Sequence, residues 1–400
     1  EAAFLWLLRD AAVRQPHYNL KDLAELDERV EAHIDGLRIA GEEGWVVCKE
    51  TLAFEDCGEV FTGSVLAFES GDDARIQTVK EAVMAEPELS RGMISALGWL
   101  SYSQAEHQIQ ILLNDESTLM RRIGIAASAI HRQAPDLALK EALFDTDSFL
   151  RARACKAVGE LARKALLPEV MANLNDENTT CRFYAAWTGL LLGEASAMSV
   201  LQDIVEQDGQ YAEQALGMAV RRMRVNDAHA WHRRLAQRPE MRRLSIQALG
   251  MIGDPAAMDV LIEQMAVPEF ARVAGESFSM ITGVDIAYED LEGEWPEGFE
   301  AGPTENPEDD NVAMDLDEDL SWPEPEKIKR WWRQNNHAFK NGMAYLCGKL
   351  KTIDGLNAVL RAGYQRQRAA AALELGIRES GIQLFETRAA GVRQVRLLKK

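Results

Sequence analysis

The 400-residue chain contains no run of 18 apolar residues, so no helical membrane span is expected. It has five cysteines, at 48, 57, 155, 181 and 347, an odd and scattered set without a CxxC pair. That excludes a disulfide framework or a zinc-knuckle pattern and fits a reducing, cytoplasmic setting. Aromatic residues make up only 7% of the chain, which disfavours an all-β fold. Positive charge is also scarce. Lys and Arg total 44 against 64 Asp and Glu, a net charge of -20 that would repel nucleic acid phosphates and anionic membranes. No P-loop, GxGxxG, HExxH or GxSxG motif occurs, so no nucleotide, cofactor or catalytic site is assigned. The chain begins at Glu1 without Met and enters an amphipathic pattern at once, which reads as a trimmed start with no signal peptide.

What remains is rich in Ala and Leu and repeats itself. RGMISALGWL from Arg91, RIGIAASAI from Arg122, RARACKAVGEL from Arg151 and RRLSIQALGMIG from Arg242 align. Each has a basic residue near its start and a small residue near its end. The marker positions Gly98, Ser128, Gly159, Gly189, Ala219, Gly250 and Met280 recur about every 30 residues, the period of stacked helix pairs. Apolar residues fall at helical spacing within each segment. Asn/Asp turns such as Asn114-Asp115, Asp145 to Asp147 and Asn175-Asp176 separate the two helices of a pair and cap the second. Asp115, Asp147 and Asp176 each precede an arginine by six residues, namely Arg121, Arg153 and Arg182.

Over residues 86–284 this pattern resembles the HEAT and phycobilin-lyase-like repeat superfamily. The resemblance implies an all-α solenoid in which turn Asp and helix Arg residues form a hydrogen-bonded ladder between stacked repeats. The repeats near Tyr211 and Phe270 depart from the ladder pattern. Residues 1–85 are helical but out of register, and are expected to cap the array. FLWLLRDAAV, PHYNLKDLAELDERVEAHIDGLR, RGMISALGW, PEPEKIKRWW and YQRQRAAAALELG together resemble a proteobacterial HEAT-repeat family of undefined activity. Its genes commonly lie beside type VI secretion effector modules, which implies a role with a secreted antibacterial effector and carries over no catalytic residue.

The charge is unevenly placed. Residues 285–326 hold 17 Asp/Glu, five prolines and no Lys or Arg, the composition of an extended or disordered acidic loop. Residues 327–400 carry 16 Lys/Arg against 4 Asp/Glu and read as a basic helical segment that closes the array. The loop either lies across that segment or presents carboxylates to a basic partner. Asp309, Asp310, Asp315, Asp317 and Asp319 are its candidate contacts, with Glu160, Glu194 and Glu213 on or just after second helices as additional ones. Trp331 and Trp332 either pin the basic helix or serve as a hot spot.

Two metal-like patterns are set aside. The HxxH of His229 and His232 is flanked by Arg233 and Arg234, which disfavour a cation. Asp315, Asp317 and Asp319 with Glu326 imitate a calcium loop, but Leu320 stands where glycine is needed and two prolines interrupt it. The expectation is a cytoplasmic immunity protein, not an enzyme, that neutralises a type VI toxic effector with a basic domain by direct binding. An effector adaptor or chaperone, a lyase-like enzyme and a scaffold are the alternatives.

Overall fold

The computed structural model describes residues 1–303 and 313–399. Among the described residues the chain forms 22 α-helices and one pair of two-residue strands, an all-α fold. No helix among them is long and apolar enough to cross a membrane.

The chain divides into two compact units. One comprises Glu1–Leu201 together with the chain from Tyr364 onward, and the other is Gln202–Gly363. The second unit is therefore an insertion into the first. The boundary at Leu201 falls inside the segment 86–284, and the basic segment 327–400 is shared between the units.

In the first unit helices follow one another in pairs. Tyr102–Leu113 precedes Thr118–Ile130, Asp136–Ala142 precedes Ser148–Glu160, and Leu167–Met171 precedes Thr179–Leu192. The second helices pack in sequence, Ser90–Trp99 on Thr118–Ile130, then Ser148–Glu160, then Thr179–Leu192. Their small marker residues sit where helices approach closely. A Cβ on Gly159 would meet Thr188 Oγ1 at 2.6 Å, and Thr188 donates to the Cys155 carbonyl at 2.7 Å. Gly250 repeats the arrangement in the second unit. A Cβ there would meet the Ser277 Cα at 2.9 Å, and Ser277 donates to the Ile246 carbonyl at 3.1 Å. At Gly159 and Gly250 the 30-residue marker thus records a close helix crossing with a hydroxyl-to-carbonyl bond beside it.

A ladder of ion pairs links the turns, with a different phase from the spacing expected. Lys80 Nζ reaches Asp115 Oδ2 at 2.7 Å, Arg121 reaches Asp145 Oδ2 at 3.0 Å, and Arg151 Nε reaches Asp176 Oδ2 at 2.9 Å. Each basic residue therefore binds the turn carboxylate of the following repeat. The same carboxylates accept from the N–H two residues on, at Ser117, Asp147 and Asn178 (2.9, 2.9 and 2.8 Å). The Asp-to-Arg pair six apart in the middle repeat is Asp145 and Arg151. Asp147 instead caps Ser148–Glu160 through the N–H groups of Phe149 and Leu150, and Arg153 pairs with Glu160.

In the second unit, Arg242–Ile252 packs on Pro268–Thr282 around Leu249, Phe278 and Ile281, with Pro325–Asn335 contributing Ile328. The strands Tyr345–Leu346 and Lys349–Leu350 were not expected from the sequence. They close through Cys347 and Gly348, both at positive φ, a two-residue hairpin turn. The Tyr345 and Cys347 N–H groups donate to the Gly253 and Met280 carbonyls, both at 2.8 Å. The hairpin thereby satisfies backbone groups that the ends of two helices leave open.

Candidate partner-binding surface

The acidic connector between Pro268–Thr282 and Pro325–Asn335 is anchored by its own sequence. Gly283, at φ 78°, ends the first helix and donates to the Ser279 carbonyl at 2.7 Å. Val284, Ile286 and Leu291 then enter the core. The two arms of the connector meet where Gly293 N–H donates to Trp322 O and Glu324 N–H to Leu291 O, both at 2.9 Å. Trp295, Phe299 and Trp322 cluster there, with ring centroids 4.9 to 5.8 Å apart.

Beneath the tryptophans lies Arg272, 5% exposed. Its guanidinium sits 5.1 Å from the Trp295 ring and 5.4 Å from the Trp322 ring. A buried cation needs a paired anion as well as aromatic faces. Asp315 supplies it with two bonds of 2.7 and 2.8 Å, and the Asp317 carbonyl adds a third at 2.9 Å. Arg243 grips the Asp317 carboxylate at 2.8 and 2.5 Å. Burial alone would raise the Asp315 carboxyl. The hydrogen bonds from Arg272 and the Asp317 N–H, with the Arg272 and Arg243 charges, outweigh it and hold the group below the usual carboxylate range. Hydrogen bonding to Asp317 raises Arg243.

Asp315 also accepts the Asp317 N–H on Oδ1 at 2.9 Å, the geometry of the ladder carboxylates Asp115, Asp145 and Asp176. The connector thus offers Arg272 the turn carboxylate that a further repeat would have offered. Two of the five Asp residues expected to contact a partner are in this way committed to arginines of their own unit. Asp319 is exposed next to them, while Asp309 and Asp310 lie outside the described residues.

The other expected contacts are dispersed. Glu160 is largely buried. Burial would raise its carboxyl, but the charges of Arg153, Lys156 and Arg132 and the Arg153 hydrogen bond hold it down. Glu194 caps the short turn at Ala195–Ala197, accepting from Ser196 N–H at 3.2 Å and from its hydroxyl at 2.8 Å. Both belong to the first unit. Glu213 is exposed in the first turn of Ala212–Arg222 in the second. Trp331 packs edge-on against Phe278 at 5.7 Å, and Trp332 against Phe339 at 5.3 Å. The pair therefore pins Pro325–Asn335 to its unit. Trp332 also lines an open pocket of about 500 Å³ with Asp259, Asn336 and Lys340.

The connector's free charge lies elsewhere. Glu289, Glu292, Glu294, Glu297, Glu300 and Glu318 are all exposed. Among them stand Tyr288 (86% exposed), Trp295 (51%), Met314 (68%) and Leu316 (78%). Exposed apolar side chains ringed by charge of one sign make this a candidate protein-binding surface. The sequence carried a signal for separating anchors from contacts: Asp-x-Asp at 315 and 317 repeats Asp-x-Asp at 145 and 147.

Both histidines of the HxxH meet partners within their own unit. His229 Nε2 lies 3.0 Å from the buried Asp254, and His232 Nδ1 lies 2.9 Å from the Ser245 carbonyl. Burial lowers His232. Among the described residues no group of three His, Cys, Asp or Glu converges to hold a metal ion. The sequence matches no family model and no curated protein.

Proposed function

We propose that the chain is a protein-binding α-solenoid that neutralises a basic toxic effector by direct association, as a cytoplasmic immunity protein of a type VI secretion module. The exposed carboxylates and apolar side chains of the connector, held by the Arg272 and Arg243 clamps, carry this reading. A surface of that kind attracts a basic domain at long range and buries apolar contacts on arrival. The repeat pattern and the family resemblance supply the biological setting, and the net charge of -20 agrees with a partner whose own site is built for phosphate.

The test is recovery of the partner from the native host followed by co-expression. A stoichiometric toxin-domain partner whose toxicity the chain suppresses is the expected result. Reversal of Glu292, Glu294 and Glu297 to Lys should weaken the complex by at least about tenfold at low salt and less at high salt. Unchanged affinity would remove the connector from the interface, and binding without protection would favour the adaptor role.

A further inference from the structure

The first unit, acidic overall like the chain, holds one local cluster of poorly matched arginines. Its arginines are mostly neutralised one by one. Arg163 meets Asp136, Arg151 meets Asp176, and Arg38 meets Glu31, Asp35 and Glu69. At Asp10 the ratio inverts. This carboxylate, in a residue only 7% exposed, receives three guanidinium groups. Arg14 approaches at 3.5 Å from the next turn, Arg388 at 3.4 Å from the returning chain, and Arg91 from the head of Ser90–Trp99.

Two residues before Arg388, Glu386 accepts from Arg132 at 3.3 Å. Arg393, which donates to the Ile130 carbonyl at 2.9 Å, is lowered by burial and then by the charge of Arg132. Three guanidinium groups therefore share the Asp10 carboxylate, while Arg132 and Arg393 lie beside Glu386, with the charge of Arg132 also reaching Glu160. The nearby Arg9 is matched by Asp27 at 2.8 Å and leaves the excess unchanged.

The excess is partly reachable from solvent, although Arg91 Nη2 is buried against Asp10. The side chains of Arg14, Arg91 and Arg388 are 58%, 39% and 50% exposed. They also strain one another: Arg14 and Arg91 are each lowered by burial and then by the charge of Arg388. A bound anion relieves that repulsion, and guanidinium forks match the oxygens of a phosphate group.

We propose that Arg14, Arg91 and Arg388 form a site for a phosphate group, and that Arg132 and Arg393 extend it to a second, linked phosphate. The ligand class is a small phosphate- or diphosphate-bearing anion. Arg388 comes from the chain that returns to this unit, so the site is complete only with that segment seated. The proposal is independent of the partner reading, and its test requires no partner.

The full chain is titrated calorimetrically with inorganic phosphate and, separately, with pyrophosphate at constant ionic strength. Saturable binding is expected for both, with pyrophosphate about tenfold tighter. Arg14→Gln and Arg388→Gln should each weaken it about tenfold or more, while Arg163→Gln, whose arginine meets Asp136, should leave it unchanged. Arg388→Gln could also loosen the returning segment, so Arg14→Gln, on the first helix, is the deciding variant, checked for an unaltered thermal transition. No saturable heat up to about 10 mM ligand, or affinity indifferent to Arg14→Gln, overturns the site. Equal affinity for the two anions overturns its extension to Arg132 and Arg393.

Discussion

At the scale of single residues, the arginines divide by what they bind. Arg151 donates to Asp176 of the next repeat and, through Nη1, to the Asp145 carbonyl of its own turn at 2.7 Å. Its loss breaks charged hydrogen bonds that are partly shielded from water. Arg151→Ala should lower stability by about 1–3 kcal/mol, read as a shift in the denaturant midpoint. Asp176→Asn should cost a similar amount, and the double variant less than the sum, because the two side chains share one interaction. Additive losses would dissolve the pair. The sequence placed the middle Arg of this row at 153 because Asp145 and Asp147 both precede an arginine by six residues. The tie is broken by orientation, since Asp147 turns its carboxylate onto its own helix N-terminus. A spacing rule does not encode that direction.

At the scale of elements, the connector shows why an acidic run misleads. Composition assigns residues 285–326 to solvent, and much of the described part is indeed exposed. Yet Asp315 and Asp317 hold it onto two helices through Arg272 and Arg243. The helices themselves were legible, because apolar period, Asx caps and small crossing residues all agree on them. The clamp was not, because its arginines lie 43 and 74 residues from their carboxylates. The clamp also has a pH signature. Asp315 is held below its unfolded value, about 3.9, so its stabilisation is complete above that value and disappears as pH falls through the lower folded one. Hydrogen exchange at residues 313–322 should therefore accelerate in acid below about pH 4, before the helices Arg242–Ile252 and Pro268–Thr282 lose protection. Simultaneous loss would mean that the connector is not a separately held element.

At the scale of the whole molecule, the chain returns after Gly363 to the unit that it left at Leu201. No local pattern in the sequence announces this return, since it depends on contacts up to 380 residues apart. Arg9 donates to the Ala389 carbonyl at 3.0 Å, Arg132 to the Leu384 carbonyl at 2.8 Å, and Gly391 N–H to Asp27 at 2.5 Å. Within the returning segment the fully buried Arg368 donates to Gln394 at 2.6 Å, and Gln394 donates to the Thr387 and Ala389 carbonyls. The segment thus fills backbone and side-chain partners that the first unit otherwise leaves open, and each such group costs about 1–3 kcal/mol when stranded away from water. Truncation after Gly363 should therefore destabilise Glu1–Leu201 and leave the second unit's own contacts in place. The measurement is hydrogen exchange by mass spectrometry on the full and truncated chains. Protection should fall across Ala2–Ala12, Leu20–Ala40 and Thr118–Ile130 and persist in Arg242–Ile252 and Pro268–Thr282. Equal loss in both sets would make the chain one cooperative body, and loss in neither would reduce the returning segment to an appendage.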